Sequence, residues 1–164
     1  MKVEELWMVD QMSNQKIAVI LIRGLVNVDV NIKKTLELLR LQQKHVCVVM
    51  DNTPENLGMV KKVKDYVTYG LIDETFYTEM LNKRIQMVGK ADATKVEKAK
   101  LVKEFFAGEL KLRDFETKYE VKPFFRLHPP IGGFERAGIK TPFAKKGVLG
   151  DRAEKISELI TKML

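Results

Sequence analysis

The sequence predicts an α/β protein in which strands and helices alternate along the first half of the chain. Two short apolar runs, residues 16–23 and 45–50, are rich in β-branched side chains and have the length of buried strands. The segments after them, 29–42 and 56–66, repeat apolar residues at helical spacing. A third segment, 66–69, again consists of residues that favour β-strands. The predicted order is therefore strand, helix, strand, helix, strand.

The first two strands are predicted to lie in the interior. In the first, every residue from Ile17 to Ile22 is apolar, and Gly24 is a natural end. The second runs from His45 to Met50 and contains Cys47, the one cysteine of the chain. A single cysteine in an apolar run is expected to be a small buried hydrophobe in a reducing compartment. It also leaves no disulfide to form within the chain.

The two helices of this half have recognisable starts. Asp29 is predicted to cap the first helix, and the turn at residues 51–54 precedes the second. In both helices the apolar side chains recur every three or four residues, which gives each helix one face for the core. These side chains are Ile32, Leu36 and Leu39, followed by Leu57, Val60 and Val63.

Helices are also predicted in the second half of the chain. One begins after Asp73 and runs to about residue 84, and a charged helix covers about 94–107. Residues 110–115 form a shorter turn or helix. A terminal helix is predicted to begin at Asp151, which is a suitable N-cap.

Between these helices lies a basic loop, residues 122–152, which carries most of the net charge of the chain. It holds 7 Lys or Arg against 2 Asp or Glu, so it contributes +5 of the total +7. It also contains four phenylalanines and is too polar to fold around a core of its own. Because Arg and Lys neutralise phosphates and aromatic rings can stack on unpaired bases, the loop predicts an RNA partner.

The candidate RNA-binding residues are cations of this loop, one histidine, and an arginine that follows the first strand. Such an arginine can emerge from the edge of the sheet and reach a phosphate. The set is Arg23, Arg126, His128, Arg136, Lys140, Lys145, Lys146 and Arg152. The alternative is a surface turn whose phenylalanines pack back onto the domain and whose charges are merely solvated.

Other classes of function find little support in the sequence. No metal-ligand spacing or catalytic triad pattern is present, and neither histidine has an evident partner. We therefore expect no metal, no cofactor, no small-molecule substrate and no catalysis. The longest apolar run has six residues, against the roughly 20 that cross a bilayer. We expect a cytoplasmic protein without a membrane partner.

Several short motifs follow one another in one unbroken order from residue 17 to the C-terminus. They are Arg23-Gly24, Asp51-Asn52-Thr53-Pro54, Leu57-Gly58-Met59-Val60, Lys64-Asp65-Tyr66-Val67-Thr68-Tyr69-Gly70, Lys111-Leu112-Arg113-Asp114 and Phe125-Arg126-Leu127-His128-Pro129-Pro130. In these motifs the chain resembles large-subunit ribosomal protein thirty in its long archaeal form. The eukaryotic relative of that family is large-subunit protein seven.

The resemblance implies a three-stranded antiparallel sheet with two helices on one face, followed by a C-terminal extension. It divides the chain into an N-terminal arm of unassigned role at 1–15, a core at 16–72, and an extension at 73–164 with helices and the basic loop. The family commonly has His directly before the cysteine of the second strand. Here Val46 stands in that position, so we interpret His45 as a residue that starts the strand.

The resemblance also implies a function. It predicts a structural constituent of the large ribosomal subunit that binds and stabilises large-subunit ribosomal RNA, close to 5S RNA and beside neighbouring ribosomal proteins. The alternative is a free RNA-binding regulator outside the ribosome. Such a regulator would not sediment quantitatively with large subunits.

Overall fold

The structure is a computed structural model that describes residues 15–89, 94 and 96–164. The predicted arm lies outside this range except for Gln15. The strands are β1 Lys16–Leu21, β2 Val46–Asp51, β3 Val67–Ile72, β4 Phe125–Arg126 and β5 Gly150–Asp151. The helices are α1 Val30–Leu38, α2 Pro54–Lys62, α3 Glu74–Arg84, α4 Lys98–Phe106, α5 Asp114–Lys118 and α6 Ile156–Met163.

All five strands belong to one sheet in the order β4-β2-β1-β3-β5. The three long strands are antiparallel, with Ile17 of β1 opposite Met50 of β2 and Leu71 of β3. The α/β class and the antiparallel strand, helix, strand, helix, strand core are therefore confirmed. The predicted number of strands is wrong, because β4 and β5 extend the two edges. Each has two residues, too few to show a strand period in the sequence.

Both faces of the sheet are covered. Alternate residues of β1 point to opposite faces, so Val19 packs with the side chains of α1 and α2, while Ile20 packs with those of α3, α4, α5 and α6. The two helices of the core thus share one face, as expected. The extension supplies the other, and this explains why the first strand is apolar without interruption.

Helix α1 begins directly after its predicted cap, Asp29, whereas α2 occupies Pro54–Lys62 and not the predicted 56–66. The Asp29 carboxylate accepts a hydrogen bond from the backbone N–H of Asn31 at 3.0 Å, and Thr53 Oγ1 accepts one from Asn56 N–H at 3.3 Å. Helix α1 ends at residue 38 rather than 42, because Arg40 adopts a left-handed conformation with φ of 62°. That conformation stops the helix and turns the chain toward β2.

Three boundaries in the extension and at its start differ from the prediction. The third strand continues through Gly70 to Ile72, and the charged helix begins at Lys98. The terminal helix begins at Ile156, because a separate 3-10 turn at 153–155 comes first, and the Asp151 carboxylate accepts from Ala153 N–H at 2.8 Å at the start of that turn. A single turn of 3-10 helix has the same sequence signature as the first turn of an α-helix.

Candidate nucleic-acid interface

Residues that are far apart in sequence meet at one end of the sheet. Arg23 follows β1, His45 precedes β2, and Tyr66 precedes β3, so all three lie at the same end of the antiparallel strands. Arg126 pairs with Val46 and brings the edge strand β4 to that end as well. With strands about 5 Å apart, β4 and β1 are separated by about 10 Å.

Arg126 is free to meet an external anion. Its side chain is exposed, and its guanidinium carbon lies 6.0 Å from the centroid of the Phe124 ring. Within the described residues it forms no ion pair. Its charge is therefore neutralised by no carboxylate in this part of the chain.

Arg23 is held more firmly. Its Nη1 donates a hydrogen bond to the backbone carbonyl of Asp65 at 3.2 Å, and its guanidinium carbon lies 4.9 Å from the Tyr66 ring centroid. The side chain is half-buried. A guanidinium has five N–H donors, so this bond leaves others available. Arg23 is thus oriented by the protein while retaining the capacity to bind a phosphate.

The first part of the basic loop is tied to the end of α6. His128 N–H donates to the carbonyl of Met163 at 2.9 Å, and Ile131 N–H donates to that of Lys162 at 2.8 Å. These two bonds satisfy carbonyls that the end of a helix would otherwise leave free. The His128 side chain is exposed, and His128 follows Arg126 by two residues in the sequence.

The rest of the loop is a compact lobe, residues 135–149. Ala137 N–H donates to the carbonyl of Lys146 at 3.2 Å, and Thr141 Oγ1 donates to that of Ala137 at 3.0 Å. The chain passes so close to itself that a Cβ at Gly147 would overlap the carbonyl oxygen of Thr141. This lobe presents four exposed cations: Arg136, Lys140, Lys145 and Lys146.

Arg152 differs from the other predicted contacts, because it is part of the interior. Its side chain is 3% exposed and forms an ion pair with Glu135. Its Nε donates to Thr68 Oγ1 at 3.0 Å, and its guanidinium carbon lies 4.6 Å from the Phe143 ring centroid. A guanidinium with these partners holds the lobe against β3 and does not face solvent. Arg152 therefore does not belong to the exposed set.

The phenylalanines of the loop pack on the protein, as the alternative interpretation expects. Phe125 is in the core, edge-on to Tyr77 with 5.8 Å between ring centroids. Phe134 stacks on His45 at 6.0 Å, and Phe143 lies beside Arg152. Phe124 is half-buried on the opposite face of β4 from Phe125. The alternation of a strand decides which of two adjacent rings enters which core.

His45 is the residue whose setting the sequence described least well. It lies directly before β2 with φ of 65°, and its Nδ1 is buried without a hydrogen-bond partner among the described residues. Burial, followed by the positive charge of Lys44, lowers the pKa of His45.

The structure also brings Arg40, Gln42 and Gln43 next to Arg126, a grouping that the sequence analysis missed. These residues lie between α1 and β2, and only the pairing of β4 with β2 places them near the basic loop. No signal in the linear sequence indicates that pairing.

None of the helices in the described residues is long and apolar enough to cross a membrane. Across 15–89, 94 and 96–164, no three His, Cys, Asp or Glu side chains are grouped so that they could hold a metal ion.

The fold and this surface define a small basic α/β protein that presents exposed cations at one end of its sheet and on a compact lobe. A family model described as ribosomal protein L30p/L7e matches residues 17–67. Relatives match over almost the whole chain, and the chain belongs to the ribosomal protein L30p/L7e family.

Three of these relatives, all archaeal, carry the name large ribosomal subunit protein uL30. The protein of Methanococcus maripaludis is 40% identical over 155 residues, which cover 90% of this chain and 98% of the relative. That of Aeropyrum pernix is 43% identical over 157 residues, with coverage of 90% and 98%. That of Methanopyrus kandleri is 38% identical over 149 residues, with coverage of 87% and 99%. The match to these relatives therefore reaches well beyond residues 17–67, which the family model covers.

Proposed function

We propose that this protein is a structural constituent of the large ribosomal subunit, where it binds and stabilises folded ribosomal RNA in the cytoplasm. The observation that carries the proposal is the match, over 98% of their length, to relatives named as large-subunit proteins. The role requires no catalysis and no cofactor.

The charge distribution supports this function physically. The chain has a formal net charge of +7, and its exposed cations include Arg126 at the sheet end and four residues of the lobe. Proteins that bind folded RNA gain most of their affinity by neutralising phosphates with such groups. A surface of this kind is suited to contacts with several backbone segments of a folded RNA.

We assign the RNA-facing role to seven residues that lie at the surface or reach it. They are Arg23, Arg126, His128, Arg136, Lys140, Lys145 and Lys146. All but Arg23 belong to the proposed extension, residues 73–164, while the family model matches residues 17–67 inside the proposed core, 16–72. On this division the core supplies the scaffold and the extension supplies most of the contacts.

Neighbouring ribosomal proteins and 5S RNA are further proposed partners. The resemblance to the family supports them, and chemical cross-linking within native large subunits tests them. Cross-links from Lys140, Lys145 or Lys146 to 5S RNA or to another ribosomal protein are the expected result. Cross-links confined to other parts of the large-subunit RNA would contradict proximity to 5S RNA.

The function itself is tested by sedimentation of the native protein through a sucrose gradient, with and without ribonuclease. A ribosomal constituent is expected to travel with the large subunit and to leave that position after ribonuclease treatment. A free RNA-binding regulator would remain mostly near the top of the gradient in untreated extracts, and that result would contradict the proposal.

A further inference from the structure

A small pocket opens between the end of α1 and the edge strand β4. Its volume is about 150 Å³, and it is lined by Arg40, Gln42, Gln43, Val46, Phe124 and Arg126. Drug-sized ligands occupy sites of roughly 300–1,000 Å³, so this pocket suits a single planar ring system and not a whole cofactor.

The backbone fixes the walls of the pocket. Val46 and Arg126 are directly opposite each other in the β2 and β4 pair, so their side chains lie on the same face. Phe124 precedes Arg126 by two residues and is half-buried on that face, against the cluster that contains Val46. The pocket therefore has an apolar floor and an aromatic wall built on the edge of the sheet.

The opposite wall depends on how α1 ends. Leu41 N–H donates to the carbonyl of Leu36 at 2.8 Å, and Arg40 N–H donates to that of Glu37 at 2.9 Å. This is the bond pattern of a Schellman cap, with Arg40 in the left-handed position that glycine usually occupies. The cap directs Arg40 toward the pocket, where its Nη1 also pairs with Glu116 at 2.9 Å.

The chemistry of the walls selects the occupant. Phe124 offers a ring face, and the exposed amides of Gln42 and Gln43 offer both donors and acceptors. The guanidinium groups of Arg40 and Arg126 make the rim positive. Among the described residues, only that of Arg40 has a carboxylate partner. A nucleobase combines a stacking face with a polar edge and brings a phosphate with it. An apolar side chain of a partner protein would leave both amides and Arg126 without partners.

We propose that this pocket binds one unpaired nucleobase of ribosomal RNA, stacked on Phe124 and hydrogen-bonded by Gln42 or Gln43, with its phosphate at Arg126. This proposal rests on the proposed function and specifies the kind of RNA it needs, a nucleotide displaced from a helix. Stacking on aromatic side chains is the usual way in which proteins hold such bases.

The test compares Phe124→Leu with Phe106→Leu in the full chain, by measuring affinity for purified large-subunit RNA at several salt concentrations. Phe106 is another half-buried phenylalanine, in α4, and it packs against the cluster on the other face of the sheet. Phe124→Leu is expected to lower affinity by about tenfold, the lower part of the range for one stacked base. Its salt slope should stay that of the unchanged protein, because no charge is removed. Phe106→Leu should change neither quantity.

The double variant Gln42→Ala, Gln43→Ala supplies a second test at two exposed positions, where folding is not at risk. It is expected to lower affinity by about threefold to tenfold, as the loss of one hydrogen bond to a base would. Equal affinities for the Phe124 variant, the double glutamine variant, the Phe106 variant and the unchanged protein would overturn the base pocket.

Ultraviolet cross-linking of native large subunits locates the occupant directly. A nucleotide attached to the peptide that contains Phe124 supports the pocket, whereas a peptide of another protein in that position overturns it. Sedimentation separates a failure of the base pocket from a failure of the proposed function. If the chain sediments with large subunits but no base is cross-linked at Phe124, the base pocket is contradicted and the ribosomal function stands. If the chain does not sediment with large subunits, the ribosomal function itself is contradicted.

Discussion

Arg152 illustrates how a single residue can take a role that its neighbours in sequence do not suggest. It stands in a basic segment and close to exposed lysines, yet its side chain is 3% exposed and pairs with Glu135 and Thr68. A buried guanidinium is stable only when its partners compensate for lost hydration. The residue therefore fixes the lobe whose surface carries the proposed RNA contacts.

Removal of Arg152 should consequently destabilise the whole protein. Arg152→Ala leaves Glu135 half-buried without its ion-pair partner, and we expect the free energy of unfolding to fall by about 3–5 kcal/mol. Arg136→Ala removes an exposed cation of the same loop and should change stability by no more than about 0.5 kcal/mol. Urea denaturation of both variants measures the difference. Similar small effects would show that the Arg152 network does not hold the fold.

Glu135 makes the same network sensitive to pH. Burial acts to raise the pKa of Glu135, but the hydrogen bond from Arg152, then a backbone hydrogen bond, and then the charges of Arg152 and Lys162 together outweigh it and hold the pKa below the ordinary value of 4.5. A carboxyl group whose pKa is lower in the folded state than in the unfolded state stabilises the fold at pH values above its unfolded-state pKa. That stabilisation is lost as the pH falls through the folded-state pKa.

We therefore expect the free energy of unfolding at pH 7 to be larger for the unchanged protein than for Glu135→Gln. This gap between the two free energies should shrink below about pH 4.5. Denaturation of both proteins between pH 7 and pH 3 tests this. A gap that stays constant over the whole range would contradict the assignment of the lowered pKa to the Arg152 pair.

Cys47 is the residue whose setting follows most simply from the sequence. It is fully buried in β2, and burial raises the pKa of its thiol far above the usual range. Cys47→Ser should lower the free energy of unfolding by about 1–3 kcal/mol, because a hydroxyl is buried in its place. RNA affinity of the folded fraction should be unchanged. A stable variant that has lost RNA binding would contradict a purely structural role.

At the scale of elements, β3 shows why a glycine can occupy the interior of a strand. Gly70 lies where the 3-10 turn 153–155 and the start of α6 cross the sheet. A Cβ at this position would overlap the carbonyl oxygen of Ala153 and lie 2.8 Å from Cβ of Ile156. The close approach of these two backbones therefore depends on the missing side chain.

Gly70→Ala should lower the free energy of unfolding by about 2–3 kcal/mol, the upper part of the range for overpacking. Gly58→Ala is the matched control, because Gly58 lies inside α2 and a methyl group added there would meet no packed neighbour within 4 Å. That substitution should raise stability by about 0.5–1 kcal/mol. Thermal denaturation compares the two, and equal effects would mean that α6 can move away from β3 at little cost.

At the scale of the whole molecule, the proposed contact surface predicts a strong dependence of RNA binding on salt. If about five of its cations reach phosphates, log K should fall against log salt with a slope of about −3.5 to −4.5. Arg126→Ala should reduce the magnitude of that slope by about 1. Lys100→Ala, at an exposed position of α4, should leave it unchanged. A salt-independent affinity, or equal effects of the two variants, would contradict the assignment of this surface.

For the molecule as a whole, some features of the fold could be predicted from the sequence and others could not. The order of the first five elements, the cap at Asp29, and the burial of Cys47 follow from local patterns, because period and capping chemistry act within a few residues. Strands β4 and β5 do not follow, because two residues have no period. Their places at the edges depend on contacts with β2 and β3.

The candidate site divides in the same way. Composition alone determined that the chain is basic and that the segment 122–152 carries the charge, and motif order determined the family. Only the tertiary structure decided that Arg152 is interior, that Phe124 and Phe125 enter opposite faces, and that Arg40 and Gln42 stand beside Arg126. The reason is physical: charge and period are properties of a segment, whereas burial and proximity arise only when segments distant in sequence pack together.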